Sequence, residues 1–401
     1  MKILMVNKFL YPKGGAETYT LKLGQELEKR GNEVQYFGMY DEKNTVGNKL
    51  NLYTQNMDFH TNKLKKITYP FKIIYSFDAK RKMKKIISDF KPDIIHLNNI
   101  NFQLTPSIID IANKMKVAIV QTVHDYQMIC PNHFLYNWKE KKICEKCIKG
   151  SKWNCTKYNC IHNSKAKSIL GSIEGIIYSK ILKSYSKVNL YICPSKFLEE
   201  ELLKNDIFKG KTVPICNFVE LDKNSEITKK EDYVLYFGRL AEEKGLLELI
   251  EAMKKLPNIK LKIAGTGPLE KIIKSESNIE FVGFKTGDEL IELISKAKFA
   301  IYPSVWYENC PLSILESESY GTPVITANYG GMKELVENNE TGILINEIKP
   351  ETLKENIEKL YNDDNKIRYM SKNCIDKRKK MITLQQYTNK LEKLYTTTIY
   401  K

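Results

Sequence analysis

One pattern constrains this chain more than any other. Short apolar runs end in glycine- or proline-containing loops and lead into helical spacing, and the sequence repeats this through both halves of its 401 residues. The first instance is residues 2–7, followed by Gly14-Gly15 and then by Ala16, Tyr19, Leu23 and Leu27 on one helical face, closed by Gly31. An apolar run bounded by turn residues marks a buried strand, and apolar residues three and four apart mark an amphipathic helix. Further strands are expected at 34–38, 93–98, 117–124 and 189–194. A polar stretch without apolar period, 221–232, interrupts the alternation. Strands are then expected at 233–238, 260–264, 279–284, 299–303, 323–326 and 342–345, and 351–401 is helical in pattern. Strand–helix alternation builds a parallel sheet with helices on both faces. The chain is therefore expected to be α/β, with two Rossmann-like parallel-sheet domains. The first is 1–213, carrying a cysteine-rich insert at 130–160; the second is 214–380; a terminal helix follows at 381–401. Ligands of open α/β sheets bind outside the carboxyl ends of the strands, so the chemistry is expected in the loops that enter helices, along a cleft between the domains.

The totals narrow the function classes. A hydrophobic content of 42% is ordinary for a folded protein, and no apolar run approaches the roughly 20 residues that cross a bilayer. Residues 3–6 are too short for a signal-peptide core, which makes the cytoplasm the expected compartment. The formal net charge of +16 favours an acidic partner. It concentrates in 63–85, where nine Lys or Arg face one acid, Asp78, among Tyr69, Phe71, Tyr75 and Phe77. Such a segment could rest on anionic headgroups at the inner face of a membrane, or be a solvated helix face. No nucleic-acid motif accompanies the charge, so no nucleic-acid partner is expected.

The loop motifs carry the chemistry. Gly14 and Gly15 let backbone approach a ligand just before a helix, or simply make a turn. His124, in Thr122-Val123-His124-Asp125-Tyr126, ends a strand; its imidazole could bond a sugar hydroxyl or be a structural group oriented by Asp125. Gly238-Arg239-Leu240-Ala241-Glu242-Glu243-Lys244-Gly245 puts two cations on one loop, suited to phosphate oxygens or to ion pairs with Glu242 and Glu243. Gly265-Thr266-Gly267-Pro268 permits close approach of a nucleotide, and Phe284 offers an edge for its base. Glu308 and Glu316 flank Asn309, Cys310, Pro311 and Leu312 at a strand–loop–helix junction, with Pro311 suited to the first helical turn. Free N–H groups and the helix dipole favour an anion there, and the carboxylates can accept from sugar hydroxyls. No Asp-x-Asp tripeptide, the usual metal bridge of nucleotide-sugar enzymes, occurs. Five of nine cysteines lie at 130, 144, 147, 155 and 160. A structural zinc on Cys130, Cys144, Cys147 and Cys160, with Cys155 as the alternative ligand, is one reading, and free thiols the other.

Taken together, Gly14-Gly15, His124, Arg239 with Lys244, Gly265-x-Gly267-Pro268 and Glu308-x7-Glu316 resemble glycosyltransferase family 4. The resemblance implies the GT-B fold, two facing Rossmann-like domains with a final helix returning to the first. It implies retaining transfer from a nucleotide diphosphate sugar to a glycan or lipid-linked acceptor in surface polysaccharide synthesis, with no cofactor needed for catalysis. By the same resemblance Glu308, Arg239, Lys244 and His124 are the catalytic candidates. Glu308 contacts the donor sugar, Arg239 and Lys244 neutralise the departing diphosphate, and His124 faces the donor sugar. Gly14, Gly15, Gly238, Gly265, Gly267, Phe284, Asn309, Cys310, Pro311 and Leu312 line the donor site, and Glu316 holds the ribose. Where many members have a glycine-rich segment this chain has Cys310-Pro311. Two rival readings are a nucleotide-sugar or polysaccharide binding protein without catalysis and a nicotinamide-dependent enzyme; the second lacks its Gly-x-Gly-x-x-Gly fingerprint.

Overall fold

The computed structural model describes residues 1–56, 73–219, 229–273 and 277–400. The chain divides into two compact units, 1–217 with 384–401, and 218–383.

The first unit is built on six parallel strands: β1 (Lys2–Val6), β2 (Glu33–Phe37), β3 (Ile94–Leu97), β4 (Ala118–Thr122), β5 (Leu190–Cys193) and β6 (Thr212–Pro214). Their order is β2-β1-β3-β4-β5-β6. Ile3, Leu4, Met5 and Val6 are all buried, as are Ile94, Ile95 and Leu97, because helices cover both faces and a strand buried on both sides has no polar alternation. Helices α1 (Gly15–Lys29), α2 (Phe77–Phe90) and α3 (Ser107–Lys114) connect the first four strands. In α2, Ala79, Met83, Ile86, Ile87 and Phe90 form the buried stripe, and the Ser76 side chain caps the start by accepting from the Ala79 N–H. The insert after β4 contains a two-residue hairpin pairing Tyr136 with Ile143 and leads to α4 (Lys165–Ile176). After β5 comes α5 (Lys196–Leu203).

In the second unit the strands are β7 (Glu231–Phe237), β8 (Leu261–Ala264), β9 (Ile279–Gly283), β10 (Ala297–Tyr302), β11 (Val324–Ala327) and β12 (Gly342–Ile345). They are parallel in the order β9-β8-β7-β10-β11-β12. Helices α6 (Leu246–Lys254), α7 (Gly287–Lys296), α8 (Leu312–Ser319), α9 (Pro350–Tyr361) and α10 (Asp364–Arg378) cover this sheet, and Leu249, Met253, Leu353, Ile357 and Met370 pack with its strands into one core. The last helix, α11 (Leu384–Ile399), belongs to the first unit. The passage between units lies at 217 and 383, a few residues past 213 and 380, for a local reason. β6 pairs with β5 and so completes the first sheet, while Val219 and Thr383 pair with each other inside the second unit.

No helix among the described residues is long and apolar enough to cross a membrane. Residues 57–72, which hold the first part of the basic segment 63–85, lie outside the described residues.

Candidate functional site

In the second unit the strand order reverses between β7 and β10, the place where open α/β sheets bind ligands. The loops leaving these two strands carry the cations and the first glutamate, and they are tied together. Ser304 Oγ donates to the Glu243 carbonyl (3.0 Å), and the Val305 N–H donates to the same oxygen (3.1 Å). Gly245 makes this approach feasible: its φ is +68°, and a Cβ there would lie 1.8 Å from the Pro303 carbonyl oxygen. The contact brings Lys244 Nζ to 2.5 Å from Glu308 Oε1. Trp306 Nε1 (2.7 Å) donates to the same oxygen, and the single Ser304 hydroxyl proton is shared between it (3.0 Å) and the Glu243 carbonyl. Burial opposes a charge on Glu308, but the Lys244 charge and these hydrogen bonds outweigh it and hold its pKa below the ordinary carboxylate value. Glu308 is thus a fixed anion with Oε1 saturated, and no described residue donates to Oε2. The loop after β11 buttresses it from below: the Gly331 N–H donates to the Glu308 carbonyl (2.7 Å), and Tyr329 Oη donates to the Ser304 carbonyl (2.6 Å).

Downstream of Glu308, Pro311 stands at the N-cap of α8 with an extended ψ of 118° and offers no side-chain cap. The sequence places it one position later, in the first turn; its ring fixes φ but leaves ψ extended, so helical geometry begins at Leu312. The first N–H groups of a helix have no intrahelical partner, which leaves this terminus suited to an anion. Glu316 is half-buried in the same helix.

Other candidates sit differently from their simplest reading. Arg239 is largely exposed and 3.5 Å from Glu243, a surface ion pair of little energetic weight. Gly265 is packed against protein: a Cβ there would lie 1.9 Å from the Gly238 carbonyl oxygen. The loops at 238–240 and 265–269 are laced by hydrogen bonds from Leu240 N–H to Thr266 and from Leu269 N–H to Leu240, so the close approach at Gly265 and Gly267 is between the loops themselves. Phe284, after β9, is 66% exposed.

In the first unit Gly14 is the N-cap of α1 in extended conformation, and it and Gly15 are exposed. His124 follows β4. Its Nε2 is 2.9 Å from Asn98 Oδ1, at the end of the adjacent β3, and Tyr19 packs edge-on to its ring. Asp125 instead turns toward Asn101 (3.2 Å) and His133 (3.8 Å). Burial pushes the His124 pKa down to about 4, so the ring is neutral at ordinary pH.

The zinc reading does not carry over. Among the described residues no group of three or more His, Cys, Asp or Glu is arranged to hold a metal ion. Cys147, Cys155 and Cys160 pack as a small apolar cluster, all nine cysteines are free thiols, and the buried Lys152 ammonium donates to the Ile129 and Cys147 carbonyls in their midst.

Residues that the sequence did not single out for the site are Ser304, Gly245, Gly331, Tyr329 and Asn98. Only the adjacent glycines at 330 and 331, between a strand and a short helix, gave a local signal.

The profile described as Glycosyltransferase Family 4 matches residues 13–223, and that described as Glycosyl transferases group 1 matches 217–377. A Klebsiella pneumoniae protein described as an uncharacterized 42.6 kDa protein in the cps region is 28% identical, covering 84% of this chain and 87% of its own. An Escherichia coli UDP-Gal:alpha-D-GlcNAc-diphosphoundecaprenol alpha-1,3-galactosyltransferase is 25% identical over 78% and 77%. Among solved structures, Anabaena HepE in complex with UDP superposes with a TM-score of 0.69 at 17% identity, covering 99% of this chain and 100% of its own.

Proposed function

Because this chain belongs to glycosyltransferase family 4 and has its GT-B class of fold, we propose that it moves a sugar, with retention and without a divalent metal, from a nucleotide diphosphate sugar to a hydroxyl of a glycan or lipid-linked glycan. The observation that carries this reading is the Lys244–Glu308 pair at the strand-order reversal, beside a helix start without a side-chain cap. The bond from the anomeric carbon to the diphosphate oxygen breaks, and its electron pair leaves with the diphosphate. The acceptor oxygen bonds the same face of that carbon, and its proton passes to a leaving phosphate oxygen. Lys244, Arg239 and the amides at the start of α8 oppose the charge that develops on the diphosphate. Each such fixed donor can contribute about 3 kcal/mol because it needs no reorganisation during the reaction. Glu308, held as an anion, is unsuited to giving a proton and suited to accepting from a sugar hydroxyl through Oε2. Glu316 is assigned the ribose, and His124 the donor sugar.

Support for the nucleotide comes from HepE, which is described in complex with UDP, and support for the acceptor from the E. coli relative, whose name specifies a diphosphoundecaprenol-linked sugar. A thermal-shift screen of UDP-, GDP- and ADP-sugars should single out one donor, and transfer from it should persist in EDTA. Absence of any nucleotide-sugar stabilisation, or loss of transfer on chelation, contradicts the corresponding part.

The described part of the basic segment fits a peripheral membrane contact. Arg81, Lys84 and Lys85 are exposed on one face of α2, and Phe77 at its start is 76% exposed. Sedimentation with anionic vesicles at low salt should carry the protein down, and should do so less for Arg81→Glu with Lys85→Glu. Equal recovery in the supernatant with anionic and neutral vesicles removes the membrane contact.

A further inference from the structure

A closed polar chain inside the first unit begins and ends on the last helix. Tyr387 and Tyr395 lie eight residues apart on one face of α11 with Leu391 between them, and all three are fully buried. Tyr387 Oη is 2.7 Å from Tyr19 Oη, on α1. Tyr19 Oη is 3.1 Å from Thr122 Oγ1, at the end of β4. Thr122 Oγ1 is 2.8 Å from His96 Nε2, on β3, and His96 Nδ1 bonds Tyr395 Oη. Burial pushes the His96 pKa down to about 3, so its ring is neutral and has one donor and one acceptor nitrogen. With each inner hydroxyl donating to one neighbour and accepting from another, the donors can run in a single direction from Tyr395 through His96, Thr122 and Tyr19 to Tyr387, whose own hydroxyl turns back to Thr122. Such a fully satisfied buried network fixes the rotamers of its members, whereas one missing member leaves its neighbours with a buried unsatisfied group.

The same Tyr19 ring is what His124 packs against, at 5.1 Å between centroids and 70° between planes. On its other side the imidazole is held by Asn98, which follows β3 directly. As the Asn98 amide is placed, its oxygen faces Nε2, so Nε2 carries the proton and Nδ1 keeps the lone pair.

We propose that Tyr387, and through the same network Tyr395, are positioning residues for His124: the last helix sets the Tyr19 ring, and the Tyr19 ring sets the imidazole. This rests on the assignment of His124 to the donor sugar made above. The return of the chain to the first unit then has a chemical consequence besides packing, since a helix that starts 260 residues after His124 fixes how that side chain presents itself.

The test uses the full chain and the donor found by thermal shift, with Tyr387→Phe, His124→Ala, the double variant, and Lys393→Ala as an exposed control on the same helix. Tyr387→Phe keeps the ring and removes the hydroxyl. Its kcat is expected to fall about tenfold with donor KM within about twofold, and the His124 ring signals in spectra of 15N-histidine-labelled protein are expected to shift or broaden; Lys393→Ala should change neither. In the double variant kcat should be no lower than in His124→Ala alone, because Tyr387 acts through that ring. Wild-type kcat and unchanged His124 signals in Tyr387→Phe, beside an impaired His124→Ala, overturn the positioning role and leave the proposed reaction standing. The same factor lost from Tyr387→Phe with and without His124 overturns it as well. Wild-type turnover in His124→Ala removes the role of His124 and the inference with it.

Discussion

Glu308→Ala is expected to lower turnover by at least roughly 100-fold in a protein that stays folded. Two functions of this carboxylate can be separated by a second variant. Oε1 accepts from Lys244 and Trp306 and shares the Ser304 proton, and so organises the loop, whereas Oε2 receives no donor from the described residues and is the atom proposed to meet the substrate. Glu308→Gln keeps an oxygen for the three internal donors but replaces the other acceptor by an NH2 group, which cannot accept from a sugar hydroxyl. It should therefore be nearly as inactive as the alanine variant, with a smaller loss of stability. Lys244→Ala should cost a similar factor, and the double variant should cost much less than the product of the two, because the groups act as one unit. Near-normal turnover in Glu308→Gln would reduce the glutamate to scaffolding, and near-normal turnover in both alanine variants would remove the site.

Gly245→Ala is expected to disable the same site from a distance. A methyl group there has nowhere to go: φ is +68°, and the Pro303 carbonyl oxygen would be 1.8 Å away. Either the turn between Lys244 and α6 rearranges or the loops after β7 and β10 separate, and both options pull Lys244 from Glu308. The strain and lost contacts should cost roughly 3 kcal/mol or more, read as a lower midpoint in thermal or urea unfolding. Transfer should fall at least tenfold under conditions where the variant is still folded. A variant with wild-type midpoint and activity would show that the loop contact is not what aligns the pair.

Much of this architecture could be read from the residues, for a physical reason. Parallel strands covered on both faces are continuous apolar runs, as in Ile3 to Val6 or Ala300 to Tyr302, and glycine and proline mark their ends. What escaped has no such pattern. β6 is three residues long and ends in Pro214, and Thr54 pairs beyond the end of β2 through an isolated bridge to Met39. The candidate site was legible as residue types and loop positions, since a glutamate before a helix start and two cations after a strand suit anions and hydroxyls. Its pairing was not. Lys244 and Glu308 are 64 residues apart, and only the strand order, which puts β10 beside β7, brings their loops together. For the same reason the partner of His124 is Asn98, from the adjacent strand, and not its chain neighbour Asp125. Cysteine spacing left a structural metal and free thiols both open. A cluster of cysteines can clasp a metal, but cysteines equally pack as small apolar side chains, as Cys147, Cys155 and Cys160 do here.

The most direct measurement is a crystal structure with the intact nucleotide diphosphate sugar bound. The account predicts the pyrophosphate against the first amides of α8 and within reach of Arg239 and Lys244, with a sugar hydroxyl donating to Glu308 Oε2. A pyrophosphate bound elsewhere, with the Lys244–Glu308 pair untouched, would contradict it.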